Sequence, residues 1–294
     1  MMGILLLDKP SGMTSHDVVN RLRRAAGIRR VGHTGTLDPA ATGLLILCFG
    51  SATRLSEFLT GQYKTYQGIM RLGVTTESYD MDGRIVSESA VPQLSIDDIQ
   101  AVCNQFIGDI QQIPPMVSAV KIGGERLYEL ARKGQTIDRP SRAVNVREFR
   151  ITSIDLPYVQ YLIDCSSGTY ARSLCHDVGQ ILGCGAALST LRRTRIGNHD
   201  IANAYPLDAM NSPTAMRKAL IPPHAVLNMP SLRVPRNLTE SIAHGHPFDA
   251  HLVGREKPLP DGWIQLSNNR GETIALAEVS DGFRVHPRRI LHDD

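Results

Sequence analysis

Twelve consecutive residues, Gly32-His33-Thr34-Gly35-Thr36-Leu37-Asp38-Pro39-Ala40-Ala41-Thr42-Gly43, restrict the fold more than any other stretch of the chain. Three glycines and a proline among them prevent a regular helix or strand. The apolar run Leu44-Leu45-Ile46-Leu47 follows at once and reads as a buried strand. A loop pinned to a core strand can hold one side chain rigidly. That side chain is Asp38, the only acid between Asp17 and Glu57, and the proline after it biases it toward an extended conformation. An isolated Asp-Pro does no more than start a turn. A lone carboxylate in a glycine-rich loop against a core strand has instead the look of an active-site group.

At 294 residues the chain has room for roughly two domains with a sizeable core. Apolar runs such as Ile4 to Leu7 and Leu44 to Phe49 are far short of a membrane span, and no secretory signal is visible. A cytoplasmic location is expected. Five cysteines (Cys48, Cys103, Cys165, Cys175, Cys184) without a Cys-x-x-Cys pair read as reduced structural thiols, and the His244-x-His246 pair is too little for a metal site. A net charge of +3 neither demands nor excludes nucleic acid. Its distribution says more: Arg21, Arg23, Arg24, Arg29 and Arg30 precede the Asp38 loop, and Arg192, Arg193 and Arg195 form a second cluster. Clustered guanidinium groups suit phosphates as well as a solvated helix face.

Along the chain, Gly3 to Leu7 reads as a strand ending in the turn Asp8-Lys9-Pro10-Ser11-Gly12. Thr14-x-x-Asp17 predicts a capped helix with Val18, Val19, Leu22 and Ala26 on one face and Gly27 past its end. Ser51 is placed to cap a second helix carrying Leu55, Phe58 and Leu59, closed by Gly61. A strand is expected over 64–73, and Asp80 to Gly83 reads as a hairpin turn without an EF-hand's ligand set. Ser95-x-x-Asp98 opens a helix with Ile99, Val102 and Phe106 on one side, ended by Ile113-Pro114-Pro115. A short helix over 126–133 and the basic tail 134–142 could form a movable clamp on a ligand. Two strands near 144–154 and 159–165 lead to a helix with Leu174, Val178 and Leu182 on one face and Arg172 in its first turn. A cation there opposes the helix dipole, so an anionic partner is expected elsewhere. Pro222-Pro223 through Pro230 marks a domain boundary, followed by a helix over 237–244 and short strands around Gly262, Gly271 and Gly282.

The Asp38 string resembles the catalytic motif of the TruB family of tRNA pseudouridine synthases, and further matches stand in family order. Leu6 to Ser15, with Asp8-Lys9-Pro10-Ser11-Gly12, is similar to the N-terminal motif, and Lys64-Thr65-Tyr66 to the second. Pro114 to Lys121 is similar to the connecting stretch, Gly168-Thr169-Tyr170-Ala171-Arg172 to the third motif, and Leu191-Arg192-Arg193-Thr194 to a further segment. Ala171 stands where the family has a larger aliphatic residue.

The resemblance implies an α+β pseudouridine synthase fold over 1–226, with a mixed, largely antiparallel central sheet flanked by helices. A small β-rich, PUA-like RNA-binding domain is implied over 227–294, where Arg284 to Ile290 matches its terminal strand. The implied activity is isomerisation of the T-loop uridine at tRNA position 55, with no cofactor and no metal. Moving uracil from an N1 to a C5 glycosidic bond needs detachment, rotation and reattachment. One carboxylate can serve by attack on ribose C1′, by addition to uracil C6 or by removal of the C2′ proton. By resemblance Asp38 is the catalytic carboxylate, Arg172 its ion-pair partner, and Tyr66 the ring that stacks on the extracted uracil. His33 takes the space the flipped base leaves, Lys9 and Tyr170 shape the pocket, and Leu191 and Arg192 complete the substrate contacts. Phosphates fall to Arg21 through Arg30, to Lys133 and the loop after it, and to Arg192 through Arg195. The expected partner is the tRNA T-arm stem-loop, with neither membrane nor protein partner, the chain acting as a monomer. A guide-RNA-dependent relative in box H/ACA particles and a tRNA-folding chaperone are the alternatives.

Overall fold

The computed structural model of the chain describes residues 1–118, 121–122, 125–126 and 137–291. Strand β1 (Gly3–Lys9) turns into helix α1 (Ser15–Ala26). The Thr14 hydroxyl accepts from the Asp17 N–H at 3.0 Å, the Asp17 carboxylate accepts from the Thr14 N–H at 3.0 Å, and a left-handed Gly27 closes the far end. β2 (Val31–His33) and β3 (Thr42–Phe49) flank the Asp38 loop. Beyond β3 a 3-10 turn over Gly50–Leu55 precedes a short α2 (Ser56–Thr60). The helix expected from Ser51 is therefore split, because Ser51 lies buried inside the 3-10 turn and Phe49, at its N-cap, has no side-chain acceptor.

β4 (Lys64–Leu72) alternates buried and exposed residues as its period predicts, and β5 (Val74–Thr76) and β6 (Ile85–Glu88) form a hairpin across the Asp80 turn. α3 (Ile96–Cys103) carries the expected Ser95–Asp98 capping box. It does not run on to the prolines. A 3-10 turn over Asn104–Phe106 follows it, Ile107 is already extended, and β7 (Gly108–Gln112) pairs in register with a later strand. Two-residue strands β8 (Lys121–Ile122) and β9 (Glu125–Arg126) pair with each other. Apart from Arg126, the helix expected over 126–133 lies outside the described residues, as do Lys133 and the start of the clamp loop.

β10 (Arg142–Asp155), β11 (Tyr158–Cys165) and α4 (Ala171–Ile181) match expectation. β12 (Ala186–Ile196) is a strand that the sequence does not announce, its arginine-rich middle having no strand-like apolar period. The remaining elements are β13 (His199–Asp200), β14 (Tyr205–Pro206), α5 (Pro213–Ala219), α6 (Pro223–Val226), β15 (Ser231–Arg233), α7 (Arg236–Ala243), β16 (Phe248–Asp249), β17 (Gly262–Ser267), β18 (Thr273–Ser280) and β19 (Arg284–Ile290).

The chain divides into two compact units, one of Met1–Asp38, Leu45–Thr60 and Asn203–Asp294, the other of Pro39–Leu44 and Gly61–Ala202. In the first, β1 lies between β14 and β3, and β2 runs antiparallel to β3. α1 buries Val18, Val19 and Leu22 against Leu5, Leu7, Leu45 and Leu47. The same unit holds a five-stranded sheet in the order β15-β17-β18-β19-β16, with Ile264, Leu266, Ala275, Ala277 and Val285 in its core. Trp263 of that sheet meets Phe58 edge-on with ring centres 4.8 Å apart, and Arg289 pairs with Glu57 at 2.7 Å.

In the second unit the order is β12-β4-β11-β10-β7, every pair antiparallel, with the first residues of β3 added parallel to β12 at Arg192↔Thr42 and Arg193↔Gly43. The sheet is thus mixed and largely antiparallel, in an α+β fold. The parallel contact requires a glycine: Gly43 has φ 106°, and a Cβ there would sit 2.3 Å from the Arg193 carbonyl oxygen. Gly43→Ala should accordingly destabilise the protein by roughly 2–4 kcal/mol. Gly61→Ala, which meets no neighbour within 4 Å, should change stability far less. Urea unfolding of the two variants checks this, and equal midpoints would contradict it.

Candidate active site

The Asp38 loop is held from below by its own neighbours. Ser15, 1% exposed at the start of α1, donates its hydroxyl to the Leu37 carbonyl at 3.1 Å and accepts the Leu37 N–H at 2.9 Å. One side chain thus satisfies both backbone groups of the residue before Asp38. The Thr34 N–H bonds the Ile46 carbonyl of β3 at 3.1 Å, and the Gly35 N–H reaches Nδ1 of His33 at 3.3 Å. Leu37 is buried while Asp38 is half-buried. Lys9, at the end of β1, is fully buried, and its ammonium donates to the carbonyls of Pro10 at 2.8 Å and Met13 at 2.6 Å. It organises the turn that delivers Ser15.

A cleft of about 360 Å³ opens beside this loop, lined by Arg23, Arg29, Arg30, His33, Thr53 and Ser56 among others. The arginines of the first cluster have different duties. Arg21 pairs with Asp208 at 2.6 Å and Arg23 donates to the Val31 carbonyl at 2.7 Å, whereas Arg24, Arg29 and Arg30 are exposed.

In the other unit, Tyr66 lies on the buried face of β4, 9% exposed, in register with Ile163 of β11 and Arg193 of β12. Lys64 shares that face and donates to the Gln62 carbonyl at 2.8 Å. Burial first, and then the Arg193 charge, push its pKa down from 10.5 to about 8. Arg193 corrects the sequence reading. Expected among the phosphate ligands, it is 1% exposed, and its Nε donates to the Leu44 carbonyl at 2.7 Å. Arg192 is half-buried and reaches the Thr42 hydroxyl at 3.4 Å, Leu191 pairs with Gly68, and exposed Arg195 faces Asp200 at 3.6 Å.

Arg172, 4% exposed, has an anion beside it, as its place in the helix requires. Its Nη1 lies 3.3 Å from the Asp80 carboxylate and donates to the Ser78 carbonyl at 3.2 Å, and its Nη2 donates to the Val117 carbonyl at 3.0 Å. Asp80 is itself fixed by the Ser78 hydroxyl at 2.5 Å and the Asp82 N–H at 3.2 Å. Tyr170 caps α4 without a side-chain cap of its own. Instead the buried Gln112 amide accepts the Tyr170 N–H at 2.8 Å and donates to the Tyr170 carbonyl at 3.1 Å. Arg142 lies over the Tyr170 ring, 6.0 Å from its centre. Sequence reasoning does not single out Asp80, Ser15 or Gln112 as site residues. Asp80 reads as a turn residue, Ser15 is one letter of a longer motif, and Gln112 falls in a segment that reads as helix.

Among the described residues no group of three or more His, Cys, Asp or Glu could hold a metal ion, and no helix is long and apolar enough to cross a membrane. All five cysteines are buried and outside disulfides, and burial pushes the thiols of Cys48, Cys103, Cys165 and Cys175 to about 12.

Two family models match in tandem, the TruB family pseudouridylate synthase N-terminal domain over residues 23–171 and the tRNA pseudouridylate synthase B C-terminal domain over 172–226. The fold matches the Cbf5 chain of a Cbf5-Nop10-Gar1 complex with a TM-score of 0.72 at 26% identity, covering 99% of this chain and 85% of that one. An archaeal box H/ACA Nop10-Cbf5 complex gives 0.70 at 25% identity, covering 99% and 86%. The class is therefore pseudouridylate synthase, an isomerase. Proteins named tRNA pseudouridine synthase B are similar throughout: that of Pseudomonas paraeruginosa is 38% identical over 98% of this chain and 95% of its own, and that of Moorella thermoacetica 40% over 99% of each. The chain belongs to the TruB family.

The depressed pKa of Lys64 has a consequence for stability. Its folded-state value lies below the unfolded one, so folding disfavours its proton, and the penalty, complete below about 8, is relieved as pH rises toward 10.5. Lys64→Met removes this dependence. Wild type should gain stability relative to the variant between those pH values, and parallel urea midpoints across that window would contradict it.

Proposed function

We propose that this chain converts uridine to pseudouridine in the T-loop of tRNA, at position 55, by extracting the base and breaking and re-forming its glycosidic bond. The observation that carries the reading is the Asp38 loop: the family's motif, complete in sequence, with its carboxylate presented just after a leucine that Ser15 locks on both backbone sides. The tRNA substrate is supported by relatives named for it at 38–40% identity over nearly their whole length.

In this reading Asp38 is the reacting carboxylate. Arg172 keeps it ionised and oriented, and Arg172 is itself held by Asp80. Tyr66 stacks on the uracil and assists loss of the C5 proton, a contact worth about 1–3 kcal/mol. His33 takes the place of the flipped base, Tyr170 and Lys9 shape the pocket, and Leu191 and Arg192 make further substrate contacts. Lys9 does its part through the backbone it holds, its ammonium being fully buried. Exposed Arg24, Arg29 and Arg30 take phosphates, a task from which buried Arg193 is excluded.

Residues 1–226 form the synthase domain in this proposal, and 227–294 a PUA-like RNA-binding domain. The second family model ends at 226, and the separate apolar core of the C-terminal sheet begins at Leu232. The chain works in the cytoplasm as a monomer on the T-arm stem-loop, without a protein partner. Guide-dependent action is the second reading. It is favoured only by the fold shared with Cbf5, at lower identity than the synthase B relatives.

Purified protein alone should release tritium from C5-labelled uridine in an unmodified T-arm stem-loop, and Asp38→Asn should bind that RNA but release none. Turnover by Asp38→Asn would sink the assignment, and tight binding by wild type without release would favour the guide-dependent reading. Affinity should also fall steeply with salt. Arg29→Ala should flatten the plot of log K against log salt by roughly 0.7–0.9 for each phosphate that Arg29 neutralises, and an unchanged slope would remove Arg29 from the phosphate path.

A further inference from the structure

The turn that grips Arg172 contains a strained residue. Tyr79, between Ser78 and Asp80, has φ 66°, in the left-handed region that a bulky side chain rarely adopts. Such a conformation persists only where its surroundings over-determine it, and it marks a place where function is worth seeking. The Tyr79 ring lies flat on the imidazole of His176, with ring centres 3.9 Å apart and planes 14° from parallel.

His176 follows Arg172 by four residues on α4, so both side chains lie on one face of that helix. Three consecutive residues therefore meet two successive turns of the helix. Ser78 and Asp80 hold the guanidinium, and Tyr79 holds the imidazole. From the other side, β12 pins the main chain of the turn. The Leu188 N–H donates to the Tyr79 carbonyl at 2.9 Å, and the Met81 N–H donates to the Leu188 carbonyl at 2.9 Å. These backbone bonds set the position of the turn on the sheet, but not its tilt against α4. The Tyr79–His176 stack ties the turn to α4 one helical turn beyond the Arg172 contacts to Ser78 and Asp80. Burial, and then the Arg139 charge, keep the His176 pKa below the usual histidine value, so the ring stacks without adding a third cation beside Arg172 and Arg139.

We propose that the Tyr79–His176 stack is a positioning device for Arg172, clamping the 78–80 turn onto α4 so that Asp80 and Ser78 hold the guanidinium in a single orientation. The inference rests on the reading of Arg172 as the group that keeps the reacting carboxylate ionised. Tyr79 and His176 are positioning residues, since they act through Arg172 and touch no reacting atom.

Tyr79→Gly tests this cleanly, because glycine adopts φ 66° without strain and the melting temperature should stay within a few degrees of wild type. With the T-arm stem-loop as substrate, kcat should fall roughly ten- to hundredfold while KM stays within about twofold. His176→Ala should show the same split, the double variant should be no worse than either single one, and Tyr79→Phe, which keeps the ring, should restore kcat. An unchanged kcat in Tyr79→Gly would overturn the proposal, as would Tyr79→Phe losing as much as Tyr79→Gly. Arg172→Lys separates the two levels of the argument. If it keeps full kcat, the role of Arg172 falls and the clamp with it. If it loses kcat while Tyr79→Gly does not, only the clamp falls.

Discussion

A buried guanidinium on a backbone carbonyl sets the geometry of the sheet. Taking a charge out of water costs several kcal/mol unless its hydrogen-bonding capacity is met. Arg193, 1% exposed, donates to the Leu44 carbonyl at 2.7 Å, while its own carbonyl lies where a Cβ on residue 43 would have to be. Only one register of β12 against the start of β3 satisfies both conditions. On its other side Arg193 stands opposite Tyr66 of β4, and the pairing with β3 sets Gly43 where the Asp38 loop ends.

Three buried cations in the same unit show three ways of meeting that cost. Arg193 places its Nε on the Leu44 carbonyl. Arg172 uses the Asp80 carboxylate together with the carbonyls of Ser78 and Val117, a set matched to its planar fork. Lys64 uses the Gln62 carbonyl and a pKa lowered to about 8, so that near neutral pH it gives up its proton far more readily than an exposed lysine. Neutral residues do the corresponding work for the backbone, Ser15 on both groups of Leu37 and Gln112 on both groups of Tyr170. In each case a buried polar group is met by a neighbour fixed in the fold, the condition for preorganisation of the groups around it.

Much of this is legible in the sequence wherever the cause is local. The capping boxes at Thr14–Asp17 and Ser95–Asp98 close between residues three apart, so they form as written. β4 follows its period, and the C-terminal strands follow their glycine turns. The need of Arg172 for an anion can be inferred from its place in the first turn of a helix. That Asp80 stands beside it cannot, because the two are brought together by the pairing of distant strands. β7 and β12 escape a sequence reading for related reasons. An edge strand of sequence Gly-Asp-Ile-Gln-Gln has almost no apolar signature, and the arginines of β12 look like surface until the sheet closes over one of them.

The sequence by itself determined the family, the motif around Asp38 and the helices capped by their own neighbours, since motif order and hydrogen bonds between near residues need no knowledge of the rest of the chain. Tertiary structure alone decided which arginines are exposed and which are buried, what holds Asp80 on Arg172, and why residue 43 must be glycine. These depend on which strands lie side by side. The free energy of a charge or a β-carbon is set by the atoms around it in space, whatever their distance along the chain.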